Sequence, residues 1–204
     1  MSVSGSWERT ARGAMLLGPG GELSPTIFAE MSALAASTGA INLGQGFPDE
    51  DGPAEVLEAA RAAISAGVNQ YPPGLGMPVL REAIAAHQKR FYGIEVDAAT
   101  QVLVTAGATE AIAATLLALT DTGDEVVTFE PFYDEYGAIT ALGRATQVTV
   151  PLRAPHFLPD LDELRAAVND RTRVILVNSP HNPTGVVFPR EILELIVELA
   201  HRHD

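Results

Sequence analysis

Ser179-Pro180-His181-Asn182-Pro183-Thr184-Gly185 follows the apolar run Val174-Ile175-Leu176-Val177, a strand pattern that ends in a rigid polar turn. The Asn182 amide has a donor and an acceptor, so it can bond a phenolate oxygen and a carboxylate at once. Flanking prolines and Gly185 fix its direction. Two earlier strand ends carry complementary groups. Gly107-Ala108-Thr109 follows the apolar stretch ending near Thr105 and opens a helix. Small residues there let backbone N–H groups approach an anion, the helix start adds its positive end, and Thr109 adds a hydroxyl. Glu130-Pro131-Phe132-Tyr133 follows the next strand and places an aromatic ring that can stack on a flat heterocycle. Each segment also has a plainer reading: packing for small residues, core filling for aromatics, a simple turn for Asn-Pro. His181 has no second histidine at ligand spacing, so it is read as orienting the turn and not as a metal ligand.

The elements that must position these groups alternate along the chain. Apolar runs predict strands over 101–105, 125–129, 145–152 and 173–177, with helices over 109–121, 133–142, 161–168 and 189–203. Nearly continuous apolar strands joined by helices predict a parallel sheet buried on both faces. The expected class is therefore α/β, a three-layer αβα large domain with a mostly parallel sheet. Upstream, Ser24-Pro25 predicts an N-cap and first helical position for a helix to Gly39. Two more helices are predicted, from Pro53 to Gly67 and from Pro78 to Gly93. Residues 1–23, rich in Gly, Ser and Pro and without periodicity, read as a loose arm. The expected organisation is this arm, a helix and loop over 24–52, and an incomplete large domain over 53–204, where the alternation calls for a further strand.

Composition narrows the class. A formal net charge of −13 disfavours nucleic acid and anionic membrane as partners, since both are bound through basic patches. Without cysteine there is no disulfide, thiolate chemistry or Cys-ligated zinc, which fits a reducing cytosol. The apolar stretch 111–119, interrupted only by Thr115, is far short of the ~20 residues a membrane span needs. Ala14-Met15-Leu16-Leu17 is too short for a signal-peptide core. The expected location is the cytoplasm.

In order and spacing these segments resemble the pyridoxal-phosphate aminotransferases of class I/II, fold type I, over about residues 24–204. Asn42 to Phe47 and Glu130 to Tyr133 most resemble the kynurenine and N-succinyldiaminopimelate aminotransferase branch. The resemblance implies pyridoxal 5′-phosphate as cofactor. It implies transfer of an amino group between an amino acid and a 2-oxo acid, in a ping-pong cycle through pyridoxamine phosphate. Gly107, Ala108 and Thr109 are then implied on the cofactor phosphate, Tyr133 on the ring face, and Asn182 on the ring oxygen and the substrate carboxylate. Phe132 packs into the protein. Gly46, within Leu43-Gly44-Gln45-Gly46-Phe47-Pro48, is implied beside the substrate carboxylate; Pro48 and a missing third glycine reject a dinucleotide fingerprint. Tyr71, within Asn69-Gln70-Tyr71-Pro72-Pro73-Gly74, is implied to reach the cofactor phosphate of a neighbouring subunit, which makes the parent enzyme a homodimer. The resemblance further implies cis bonds at Glu130–Pro131 and Asn182–Pro183.

The family carries its cofactor on a lysine, and the only lysine here is Lys89. At 100° per residue Lys89 lies roughly 180° from Leu80 on its helix, while Ile84 and Phe91 lie near Leu80. It is read as a solvated surface residue, so no residue is assigned as catalytic. The expectation is the N-terminal half of an aminotransferase, inactive by itself. Other readings are a pyridoxal-phosphate carbon–sulfur β-lyase, a non-catalytic aminotransferase-like binding module, and a truncated remnant.

Overall fold

Glu125-Val126-Val127-Thr128-Phe129 is a buried β-branched and aromatic run, the composition of a strand covered on both faces, and it forms the centre of the sheet. The structure, a computed structural model, describes residues 5–44, 46 and 50–203. Strand β1 (Glu125–Glu130) pairs in parallel with β2 (Thr146–Arg153), Val127 opposite Val148. On its other side it pairs in parallel with β4 (Thr172–Ile175), Val127 opposite Ile175. A two-residue strand β3 (Leu158–Pro159) runs antiparallel to β2, giving the order β3-β2-β1-β4. The fold is α/β with a mostly parallel sheet, as the alternating pattern predicts.

Side-chain alternation along β1 sends Val127 and Phe129 to one face and Val126 and Thr128 to the other. On the first face Val127, Phe129, Val150 and Leu152 form a core with helices α7 (Leu161–Ala167) and α8 (Arg190–Arg202). The inward residues of α8, Ile192, Leu195, Ile196 and Leu199, recur at i, i+3, i+4 and i+7, one apolar stripe of a helix. The second face carries α5 (Ala108–Leu119) and α6 (Glu135–Leu142), whose Leu116, Tyr136 and Thr140 are buried. There Gln147 Nε2 donates to Thr128 Oγ1 at 2.8 Å. At the start of β1 the buried Glu125 carboxylate accepts from Asn169 Nδ2 at 2.7 Å and Arg171 Nε at 2.8 Å, which fixes the turn entering β4.

Residues 1–26 group with 107–204 in one unit, and Ile27–Ala106 form another. The second unit contains α2 (Ile27–Thr38), α3 (Ala54–Ser65) and α4 (Pro78–Tyr92). In α4 the predicted signals operate: Pro78 sits in the first turn and Gly93 closes the helix at φ 69°.

Four local expectations are corrected. No strand forms over 101–105 among the described residues: Val104 N–H donates to Leu75 O at 3.1 Å, and a strand without a full partner cannot pair its backbone. β4 stops at Ile175 and not Val177, although Leu176 N–H still reaches Val127 O at 2.9 Å. Helix α2 starts at Ile27, past the predicted Ser24-Pro25 start, and the Ser24 N–H bonds Leu16 O at 2.9 Å. Where a loose arm is expected, helix α1 (Ser6–Gly13) forms and packs on α6. An eight-residue helix is marginal by itself, so tertiary packing and not local periodicity supports it. The Glu130–Pro131 and Asn182–Pro183 bonds are both cis, as are Ala154–Pro155 and Ser179–Pro180.

Candidate cofactor site

Because β1 and β4 are parallel neighbours, their C-terminal ends lie at one sheet edge, the edge where open α/β sheets form ligand crevices. From that edge the chain continues into Pro131-Phe132-Tyr133 after β1 and into Asn178–Gly185 after β4. Helix α5 lies over the last residues of β4, where Ala111, Ile112, Thr115 and Leu116 line a groove with Val174, Ile175 and Leu176. Gly107, Ala108, Thr109, Tyr133 and Asn182 all belong to the unit that contains the sheet.

The turn bearing Asn182 is held from several sides. Asn182 N–H donates to Asn178 Oδ1 at 2.7 Å, Gly185 N–H to His181 O at 2.6 Å, and His181 N–H to Val186 O at 2.8 Å. His181 Nδ1 and Thr184 Oγ1 lie 2.9 Å apart, and Ser179 Oγ accepts Phe188 N–H at 3.0 Å. His181 is only 4% exposed; its ring stacks on Phe188 at 6.0 Å, and Phe188 meets Phe129 edge-on at 5.0 Å. Burial holds the His181 imidazole below its ordinary value, while a hydrogen bond to the Phe129 backbone pulls the other way. His181 therefore fastens the turn to the end of β1, and Asn182 is left exposed on top. The support from Asn178, Ser179 and Thr184 escapes the sequence reading, although small polar side chains flanking a turn are its signal.

Tyr133 is half-buried and meets Tyr136 edge-on at 5.9 Å; Tyr136 N–H donates to Tyr133 O at 3.1 Å. Burial raises the Tyr136 phenol, with the neighbouring Glu135 and Tyr133 charges adding to it. Phe132 is also half-buried.

Gly107 adopts φ 90°, a left-handed conformation that suits glycine, and caps α5 with no side-chain hydrogen bond. A Cβ built there would meet nothing within 4 Å. Gly107, Ala108 and Thr109 are all exposed. A helix start led by glycine and followed by a threonine hydroxyl is a donor set of the kind that fits a phosphate dianion.

The other sequence-predicted residues lie in the second unit. Tyr71 is 97% exposed. Gly46 is exposed, while Gln45, Phe47, Pro48 and Asp49 around it lie outside the described residues. Upstream of Gly46, Asn42 Oδ1 accepts Gly44 N–H at 2.9 Å and Asn42 Nδ2 donates to Ser32 Oγ at 3.3 Å. Lys89 Nζ pairs with Glu95 Oε1 at 2.7 Å, with 69% of its side chain exposed. Among the described residues no cluster of His, Asp or Glu is placed to hold a metal, and no helix is long and apolar enough to cross a membrane.

The family model described as aminotransferase class I and II matches residues 38–204. The chain belongs to that family. It is 56% identical over 177 residues to a probable N-succinyldiaminopimelate aminotransferase of Mycobacterium tuberculosis, a match covering 86% of this chain and 45% of that protein. It is 36% identical over 193 residues to human kynurenine–oxoglutarate transaminase 3, covering 89% of this chain and 42% of the relative. The solved structure of the N-succinyldiaminopimelate aminotransferase from M. tuberculosis superposes with a TM-score of 0.86 at 50% identity, over 100% of this chain and 50% of that one. The sheet is thus that of a fold type I aminotransferase large domain, and the chain spans about half the length of the relatives it matches.

Proposed function

We propose that this chain is the N-terminal half of a pyridoxal-phosphate aminotransferase that moves an amino group between an amino acid and a 2-oxo acid. One observation carries the reading. The half-buried Tyr133 ring and the exposed, tightly held Asn182 follow adjacent parallel strands at one sheet edge. When bound, pyridoxal phosphate supplies the electron sink for the charge left at the substrate Cα as its proton departs.

The residues of the chain would bind and orient. Gly107 and Ala108 present backbone donors and Thr109 a hydroxyl to the phosphate. The Tyr133 ring lies against the heterocycle and limits its tilt. Asn182 would donate from Nδ2 to the ring oxygen and help to align the substrate carboxylate; for Gly46 the family resemblance alone implies a backbone role toward that carboxylate. Nearly full exposure leaves Tyr71 available to a second copy, which supports a homodimeric parent enzyme with Tyr71 reaching the partner's phosphate; a cytoplasmic location fits the absence of cysteine. Lys89 is engaged with Glu95, and we assign no residue of this chain to proton transfer at the substrate. Turnover then depends on an amine supplied by further chain, and the 204 residues alone should not transaminate.

The test is to produce this chain together with the part of the M. tuberculosis relative that lies beyond the matched stretch. The purified pair is assayed with methionine, kynurenine and N-succinyldiaminopimelate as amino donors and 2-oxoglutarate as acceptor. Glutamate formation that requires the acceptor supports the proposal. Pyruvate and ammonia released from cystathionine without an acceptor would replace it with the β-lyase reading. Cofactor binding without either reaction would favour a binding module.

A further inference from the structure

The N-terminal arm touches α6 through its backbone. A Cβ added at Gly13, the last residue of α1, would collide with the Gly137 carbonyl oxygen and lie 2.6 Å from Ala141 Cβ. A Cβ added at Gly137 would in turn collide with the Gly13 carbonyl oxygen and lie 2.9 Å from Gln147 Oε1. Neither position has room for a side chain. One turn beyond Gly137, Arg9 Nε donates to Ala141 O at 2.7 Å, a cation at the carbonyl end of α6. The arm then turns back on itself through Leu17 paired with Leu23 and Ser24 N–H on Leu16 O at 2.9 Å.

Gly137 directly follows Tyr136, which is buried and meets the Tyr133 ring edge-on. Gln147, beside Gly137, also bonds Thr128 of β1. The first turn of α6 is therefore gripped between the sheet on one side and α1 on the other. Tyr133 meets this gripped turn through the edge-on contact with Tyr136. All of α1 lies before residue 38, where the family match begins, so the grip is made by a segment outside that match.

We propose that α1 is a strap that fixes the Tyr133 ring, with Arg9 and Gly13 as positioning residues that act through α6. The proposal rests on the reading of Tyr133 as the ring-stacking residue only for its functional consequence; the structural claim stands apart from it. Undocked, α6 could shift outward and Tyr136 would no longer hold the Tyr133 ring at one angle. Stacking needs the ring held in advance, so loss of the strap lowers ligand affinity without removing a contacting group.

The full chain provides its own reporter, because its only tryptophan, Trp7, lies on α1 and is 42% exposed when docked, so undocking is read as a rise in quenching from a partly shielded start. Gly13→Val and the milder Arg9→Met are compared with wild type and with Leu199→Ala, a core truncation on the opposite face of the sheet. Acrylamide quenching of Trp7 reports docking, and the NMR ring signals of Tyr133, assigned with Tyr133→Phe, report its setting. Titration with pyridoxal 5′-phosphate reports affinity. Both strap variants should raise the quenching of the partly shielded Trp7, move the Tyr133 signals and weaken binding by roughly threefold to tenfold. Leu199→Ala should lower the thermal midpoint and leave the Tyr133 signals in place. Should Gly13→Val fail to fold, Arg9→Met reads the same three quantities. Trp7 freed with Tyr133 unmoved, or Trp7 already fully quenchable in wild type, overturns the proposal. Tyr133 moved with affinity unchanged upholds the strap and removes Tyr133 from the cofactor site.

Discussion

Asn178 Oδ1 accepts the backbone N–H of Asn182 at 2.7 Å, so a side chain just past β4 holds the backbone of the residue presented four positions later. This bond closes the turn over Ser179, Pro180 and His181 and leaves Asn182 exposed. On the proposed reading it separates two tasks, holding by Asn178 and contacting by Asn182, between two residues of the same type.

In the complemented protein, Asn182→Ala should weaken pyridoxal 5′-phosphate binding by about tenfold or more, the loss of a hydrogen bond to a charged oxygen at ~1.5–3 kcal/mol. Asn178→Ala should cost less, ~0.5–1.5 kcal/mol, because it acts only through the backbone. Equilibrium titration of both variants checks the order. Wild-type affinity in both would remove Asn182 from the site.

His181 gives a pH dependence with a defined sign. Its unfolded-state value is 6.5 and burial lowers the folded one, so between the two values the unfolded chain binds more protons. Its contribution is fully present above the unfolded value and is lost as pH falls through the window toward the folded value. Urea midpoints of wild type and His181→Gln, compared between about pH 5 and pH 7.5, should show a flatter profile in the variant. Parallel profiles would mean that His181 does not set this slope.

Leu164 of α7 is fully buried in the core formed with β1, β2 and α8. Leu164→Ala should destabilise by ~2–5 kcal/mol, through lost burial and the cavity left behind. Leu193 on the outer side of α8 is 39% exposed, and Leu193→Ala should cost distinctly less. Urea denaturation of the two variants decides whether α7 and α8 present these faces as described.

Lys89 is exposed and paired with Glu95, so mixing the chain with pyridoxal phosphate and reducing with borohydride should leave no stoichiometric label on any residue. Lys89→Arg should bind the cofactor as wild type does. Peptide mapping of a one-to-one label on Lys89, together with amino transfer by this chain alone, would reverse the reading.

Much of this molecule is decided locally. The apolar stripe Ile192, Leu195, Ile196 and Leu199 specifies α8, Pro78 and Gly93 delimit α4, and Glu125 to Phe129 can only be a buried strand, because period, cap and branching act within a few residues. The same locality made the turns at Gly107, Tyr133 and Asn182 visible, since each directly follows a recognisable element or opens one. Other features depended on partners distant in the chain. Residues 101–105 have a strand's composition and form no strand, since a ladder exists only where a second backbone is aligned with it. Leu158-Pro159 pairs only because β2 lies beside it. Helix α1 has too few residues to announce itself and is held by Gly137 and Ala141, more than 120 positions away, through a contact that requires the absence of side chains. Local propensity named the groups, and the alignment of distant backbones set which of them face one sheet edge.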